Sequence, residues 1–273
     1  MKHFISLGAG VQSSTMALMA AKGEITPMPD GAIFADTGAE PASIYQWLDW
    51  LETQLPFPVY RVKFRDIESD IFSALADPES GSYNERVPSA PFYTESPNKK
   101  GSVGMLMRQC TSDYKVTPII KKIRELVGLK PRMRAKENAC MWIGISLDEV
   151  TRMKPNKKKW IDNRWPLIES RMTRTNCLQW MERNGYPLPE KSSCVFCPYH
   201  DNAMWRDMKL SQPVEFERAV QVDRAIRNGV RGTTQKLYLH QSLTPLEDVD
   251  FRNLEDMGQL NLFENECEGM CGV

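Results

Sequence analysis

The chain of 273 residues lacks several things that would each have named a class. It has no apolar run of about 18 residues and no signal-peptide pattern, which excludes a membrane-spanning helix and predicts a soluble cytoplasmic protein with no membrane partner. It has no net charge, with 35 Lys and Arg against 35 Asp and Glu, so no global field draws it to nucleic acid or to lipid. It has only three histidines, His3, His200 and His240, which argues against chemistry built on a histidine pair. It lacks the Gly-Lys-Ser/Thr ending of a Walker loop, and Gly8-x-Gly10 is not followed by the third glycine of a dinucleotide fingerprint. No internal repeat is visible. Cysteine, by contrast, is present seven times. In a reducing compartment that number predicts metal ligands or redox groups rather than disulfides.

What is present begins with His3 to Leu18, an apolar run, a turn of small residues, and a helix rich in Ala, Met and Leu. A strand, a small-residue loop and a helix in that order offer helix N-terminal amides to a phosphate. Gly8 and Gly10 would let the backbone approach the anion, and Ser13, Ser14 and Thr15 could cap the helix or donate hydroxyls. Taken alone, the same spacing also suits an ordinary strand-to-helix turn. Gly31 to Asp36 reads as a second buried strand ending in Asp36-Thr37-Gly38-Ala39-Glu40, where polar groups at a strand's carboxyl end overlie a ligand crevice. Helical spacing over 41–55 and alternation over 58–64 complete a β-α-β-α-β order, and hence a parallel, doubly wound α/β sheet.

Residues 78–104 turn to Ser, Pro, Asn, Gly and Lys and predict a long functional loop without regular structure. Arg108 to Lys115 leads into a helix through Leu126, residues 139–145 form a fourth strand, and Pro166-Leu167-Ile168 reads as a short edge segment. Helices follow over 173–184, 201–210 and 213–228, the first with its stop at Gly185. The basic runs 130–136 and 154–159 read as solvated faces. Cys140, Cys177, Met16, Met19, Trp47 and Trp180 are expected in the core.

Six segments carry a resemblance. Gly8-Ala9-Gly10-Val11-Gln12-Ser13 resembles the PP-loop of N-type ATP pyrophosphatases and phosphoadenosine-phosphosulfate (PAPS) reductases, usually written SGGxDS. Gly8 stands for its first serine, Ala9 for a glycine and Gln12 for the aspartate. Asp36-Thr37-Gly38, Arg108-x-Cys110-Thr111-x-x-Tyr114-Lys115-x-x-Pro118, Gly144-Ile145-Ser146-Leu147-Asp148-Glu149-x-x-Arg152 and Cys194-Val195-Phe196-Cys197-Pro198 are similar to further motifs of the PAPS reductases, as is Pro166-Leu167-Ile168 before its helix.

The resemblance implies an adenine nucleotide alpha hydrolase-like sheet over 1–170 and a helical, cysteine-bearing region over 171–273. It implies an adenine nucleotide, either ATP or an adenylyl sulfate as substrate, held by Ser6, Gly8, Gly10, Gln12, Ser13, Ser14, Asp36, Thr37, Gly38 and Glu149. Lys115 and Arg152, with Arg108, would meet phosphate or sulfate charge. Cys110, Cys194 and Cys197 would hold a [4Fe-4S] cluster, with zinc as the rival metal and Cys271 as a fourth ligand. The tail's Glu266-Cys267 and Cys271-Gly272 each match half of the family's terminal Glu-Cys-Gly, so Cys267 or Cys271 would serve as nucleophile. Two activities stay open: reduction of an adenylyl sulfate with a thioredoxin-like reductant, or ATP-dependent sulfur transfer from a cysteine desulfurase to tRNA or DNA. A third reading, from another class, is a zinc-stabilised nucleotide- or nucleic-acid-binding protein without catalysis, in which the basic runs around residues 130 and 157 and the long loop would form a binding face.

Overall fold

The computed structural model describes residues 1–75, 90–96, 99, 101–130, 133–135, 138–230 and 235–252. The first strand, β1 (Lys2–Leu7), runs into α1 (Val11–Ala21), then β2 (Gly31–Asp36), α2 (Ala42–Gln54), β3 (Val59–Lys63) and α3 (Ile67–Leu75). A small antiparallel hairpin, β4 (Tyr93–Glu95) with β5 (Val103–Met105), precedes a π-helical turn over Thr111–Val116 that continues as α4 (Thr117–Leu126). β6 (Ala139–Ile143), a 3-10 turn (Leu147–Arg152), β7 (Ile161–Arg164), α5 (Pro166–Glu169), α6 (Arg174–Arg183), α7 (Asn202–Ser211) and α8 (Pro213–Ile226) follow.

Five strands form one parallel sheet in the order β3-β2-β1-β6-β7. Strand order therefore reverses between β1 and β6, the switch point at which an open α/β sheet leaves a crevice over its carboxyl ends. Alternate residues feed two cores, as a sheet covered on both faces requires. Ile5, Leu7, Phe34 and Trp142 pack with α1, α2 and α6, while Phe4, Ile33, Met141 and Ile161 pack with α4. A third core, around Phe92, Trp205, Phe216 and Leu239, joins α3, α7 and α8 to residues 237–251. Each large side chain buried this fully contributes roughly 1.5–3 kcal/mol. The doubly wound parallel sheet and the helical C-terminal part agree with the sequence. Cys140, Cys177, Met16, Met19, Trp47 and Trp180 are all buried, as expected.

The sequence reading needs three corrections. Pro166-Leu167-Ile168 is not an edge segment but the single turn α5, because a proline in a first turn has its φ preset and no amide to leave unpaired. The edge strand on that side of the sheet is β7, whose Asp162, Asn163 and Arg164 carry no apolar pattern because that edge faces solvent. The loop expected over 78–104 contains the β4–β5 hairpin among its described residues. The helix α3 was not anticipated; Asp66 starts it by accepting from the Ser69 amide at 3.0 Å. No described helix is long and apolar enough to cross a membrane.

Candidate functional site

At the carboxyl end of β1 the chain turns through Ala9, which sits at φ +56, a left-handed conformation that costs a residue with a Cβ about 1–2 kcal/mol. Such strain is characteristic of ligand loops. The loop closes on itself: Ser13 Oγ accepts from the Gly8 amide at 3.1 Å and donates to the Gly10 carbonyl at 3.2 Å. No side chain caps α1, since its N-cap residue is Gly10, so the first-turn amides are left for an outside acceptor. Ser14 is turned inward, fully buried, and accepts from Trp47 Nε1 at 3.0 Å. Ser6 lies half-buried on β1, between Ile33 and Ile143.

Gln12 faces the β6 side of the crevice. Its Nε2 donates to Glu149 at 3.5 Å and its Oε1 accepts from Arg174 at 3.1 Å, while Arg152 pairs with Glu149 at 2.5 Å. Arg152 is therefore already neutralised and would have to exchange partners to meet a phosphate. Gly144, just past β6, presses on the loop so closely that a Cβ there would lie 2.9 Å from the Ser13 backbone.

The turn after β2 is held from several sides. Asp36 Oδ1 accepts from the Gly38 amide and from the Tyr45 hydroxyl, both at 2.7 Å. Burial and then this carboxylate push the Tyr45 pKa well above its ordinary value, so Tyr45 stays a donor. Gly38 has φ +78, and a Cβ on it would lie 2.0 Å from Asp66 Oδ2. Its carbonyl accepts from Arg218 at 2.8 Å, and Arg218 also binds Glu68 and Glu215, which ties α8 to the strand end. Gly38→Ala is expected to cost about 1–3 kcal/mol through the left-handed φ and the clash with Asp66. The thermal midpoint should fall by roughly 3–10 °C; an unchanged midpoint would show that the Asp66 cap is dispensable.

The cysteines arrive from two directions. In Cys194-Val195-Phe196-Cys197 the two middle residues are buried in the third core and anchor the turn, leaving the flanking cysteines half-buried. Val195 N donates to Ala39 O at 2.7 Å, and Cys194 Sγ lies 3.4 Å from Thr37 Oγ1. Ser192 stands beside Gly10. The cysteine turn, the Asp36–Glu40 turn and the α1 loop are thus one assembly. Burial, and then the Glu40 carboxylate, push the Cys194 thiol up to about 12. His200 props the turn, with Nε2 2.7 Å from Ser193 Oγ, and burial pushes its pKa down to about 3, which keeps the ring neutral.

Cys110 comes from the π-helical turn. There the Thr117 amide bonds to Ser112, five residues back. In a regular α-helix positions five apart point in different directions, at about 100° per residue; the wider turn brings Cys110, Thr111 and Lys115 onto one cavity with Thr37, Cys194 and Cys197. That cavity encloses about 40 Å³, room for more than one water. Lys115 Nζ bonds to Glu40 at 3.1 Å, and Glu40 is buried with Oε2 lacking a partner among the described residues. Arg108 stacks over Tyr199 on the same cavity.

Thus Cys110, Cys194, Cys197, Lys115 and Thr37 come together, and Gly8, Gly10, Gln12, Ser13, Glu149 and Arg152 form a second group over the switch point. Among the described residues no three His, Cys, Asp or Glu converge closely enough to hold a metal ion. Cys267 and Cys271 lie outside the described residues. Sequence reasoning named Glu40 and Gly144 only as parts of longer motifs, without their roles, and missed Tyr45 and Arg218. Of these only Gly144 left a signal, a glycine directly after a buried strand.

No protein-family model matches the chain, and no curated protein does. Among solved structures, a phosphoadenylyl-sulfate (PAPS) reductase from Candida auris, in complex with phosphate, is similar with a TM-score of 0.44. It is 13% identical, with 71% of this chain and 81% of that chain covered.

Proposed function

We propose that the chain is an adenine-nucleotide enzyme of the PAPS reductase and PP-loop type, performing sulfur chemistry at the cysteine-lined cavity. The observation that carries the reading is the join between two chemistries: the Cys194–Cys197 turn hydrogen-bonds to Ala39 and contacts Thr37, and Ser192 just before it stands beside Gly10, at the strand ends where a nucleotide would lie. The α1 loop supports the nucleotide half. A Cβ at Gly8 or Gly10 would meet nothing closer than 3.6 Å, so the protein's own packing does not demand glycine there, whereas a phosphate against the backbone would.

In this reading the uncapped α1 amides receive phosphate oxygens, Gln12 and Glu149 bound the site on the β6 side, and the nucleotide's far end points toward Lys115. Lys115 is held in place by Glu40 and offers a point charge to a sulfate or phosphate at the cavity. The tail, through Cys267 or Cys271, supplies the attacking thiolate. Soft thiols of Cys110, Cys194 and Cys197 suit an iron–sulfur cluster or zinc by donor chemistry, with Cys271 completing the set, and the bound group would add redox or structural capacity. Among the described residues these three cysteines line one cavity without converging into a preformed metal site.

Metal analysis with an absorption spectrum, on anaerobically purified wild type and Cys110→Ser protein, tests the metal half. Stoichiometric iron or zinc in the wild type and loss of most of it in the variant is the expected result, because an incomplete thiolate set holds metal poorly. Metal-free wild type, or full retention in the variant, removes Cys110 from any such site. Calorimetric titration with ATP, AMP and an adenylyl sulfate tests the nucleotide half, and binding of none of them would overturn the reading.

A further inference from the structure

Charge in this chain is unevenly spread. Residues 121–159 hold twelve Lys and Arg against four Asp and Glu, in a chain whose totals are equal. The fold gathers much of that excess at the amino ends of the strands, away from the crevice. α4 ends beside the start of β1, where Lys2 Nζ donates to the Leu126 carbonyl at 3.0 Å. Lys130 and Met133, which precede β6 in the chain, are held by Arg124, whose Nη2 donates to their carbonyls at 2.6 Å and 2.9 Å. The segment before β7 reaches the same end, since Ala139 N donates to Trp160 O at 2.9 Å. It has first run along the outer side of the edge strand, where Asn163 Nδ2 donates to the Lys154 carbonyl at 2.9 Å.

Lys130, Arg134, Lys154, Lys157, Lys158 and Lys159 are all exposed on this surface. Among the described residues none of the six is paired with a carboxylate. Of the described acids beside these cations, Glu125 is paired with Lys122 and Asp162 accepts from Asn138. Like charges held side by side without counter-ions repel, and a polyanion relieves that repulsion.

We propose that this face binds the phosphodiester backbone of a nucleic acid. Five of the six cations are lysines, point charges that suit sequence-independent phosphate contacts rather than bidentate base reading. A membrane surface fits less well, because amphipathic membrane binding needs several apolar anchors, and among the described residues of 130–135 and 154–160 Met133 alone is an exposed large hydrophobic side chain. The proposal is independent of the nucleotide reading. The face lies at the amino ends of the strands and the crevice at the carboxyl ends, so either can fail alone.

The test is fluorescence anisotropy with a short labelled DNA duplex and an RNA duplex of the same length, between about 50 and 200 mM salt. The wild type should bind at least one of them with an affinity that falls steeply as salt rises. The variant K157E/K159E should lose at least about tenfold in affinity and lower the log–log salt slope by about 2. A charge-matched control, K99E/R183E, reverses two exposed cations elsewhere and should keep wild-type affinity. Binding to DNA alone, RNA alone or both supports the proposal and tells the sources apart. It is overturned if the wild type binds neither duplex, if K157E/K159E binds like the wild type, if both variants weaken equally, or if anionic vesicles or polyglutamate bind as tightly as the duplexes.

Discussion

Replacing Asp223 by alanine should cost about 3–5 kcal/mol of folding stability, the effect of removing one member of a buried ion pair. Asp223 lies on α8 with 1% of its surface exposed. Its carboxylate accepts from the amides of Leu239 at 2.8 Å and Leu246 at 3.0 Å and pairs with Arg227. Burial raises its pKa, against the pull of those amides and of Arg227. Alanine would leave two interior amides without acceptors and a half-buried guanidinium, stacked on Tyr238, without its counter-charge. Among the described residues Arg227 already has one buried nitrogen, Nη1, without a partner, so it has little means of compensating. Domains of ordinary stability have roughly 5–15 kcal/mol to lose, so the variant should be marginal at 25 °C. Urea unfolding followed by fluorescence checks this, with Asp223→Asn, which keeps an acceptor oxygen, expected to fall between the two. A loss under about 0.5 kcal/mol for the alanine variant, the size of an ordinary surface change, would mean that residues 237–246 are held to α8 by apolar packing alone.

The second large effect is expected at Gly144. A Cβ there would stand 2.9 Å from both N and Cα of Ser13. Backbone cannot swing aside as a side chain can, so Gly144→Val must displace either the first turn of α1 or the end of β6. Overpacking of this kind costs about 1–3 kcal/mol. If the α1 amides hold the nucleotide, most of that cost should appear in binding, as a roughly five- to 150-fold loss of ATP or AMP affinity. Calorimetry on folded variant protein, checked by its thermal midpoint, makes the measurement. Wild-type affinity in the variant would place the nucleotide elsewhere, and would separate the packing of this loop from any role in binding.

Part of this protein could be read without coordinates because the relevant forces are local. Buried strands show as short apolar runs, as in Gly31 to Asp36, and a strand, small-residue loop and helix announce α1. Thr173 and Asp201 sit at helix starts whose hydrogen bonds, from the Asn176 and Met204 amides, involve residues only three positions away. Edge strand β7 was not legible, since a solvated edge has no apolar face to betray it. Neither was the kind of helix at 111–116: wide and narrow turns use the same residue types, yet only the wide one sets Cys110 and Lys115 on a common cavity.

The sequence by itself determined the parallel α/β order, the buried cysteines and the candidate motifs, because periodicity and capping act within a few residues. Only the tertiary structure decided what those motifs touch. It spent Ser14 on Trp47 and Lys115 on Glu40. Those pairings join residues as far as 75 positions apart in the chain, as between Glu40 and Lys115. Their geometry depends on how helices seat on the sheet, and no local pattern encodes it.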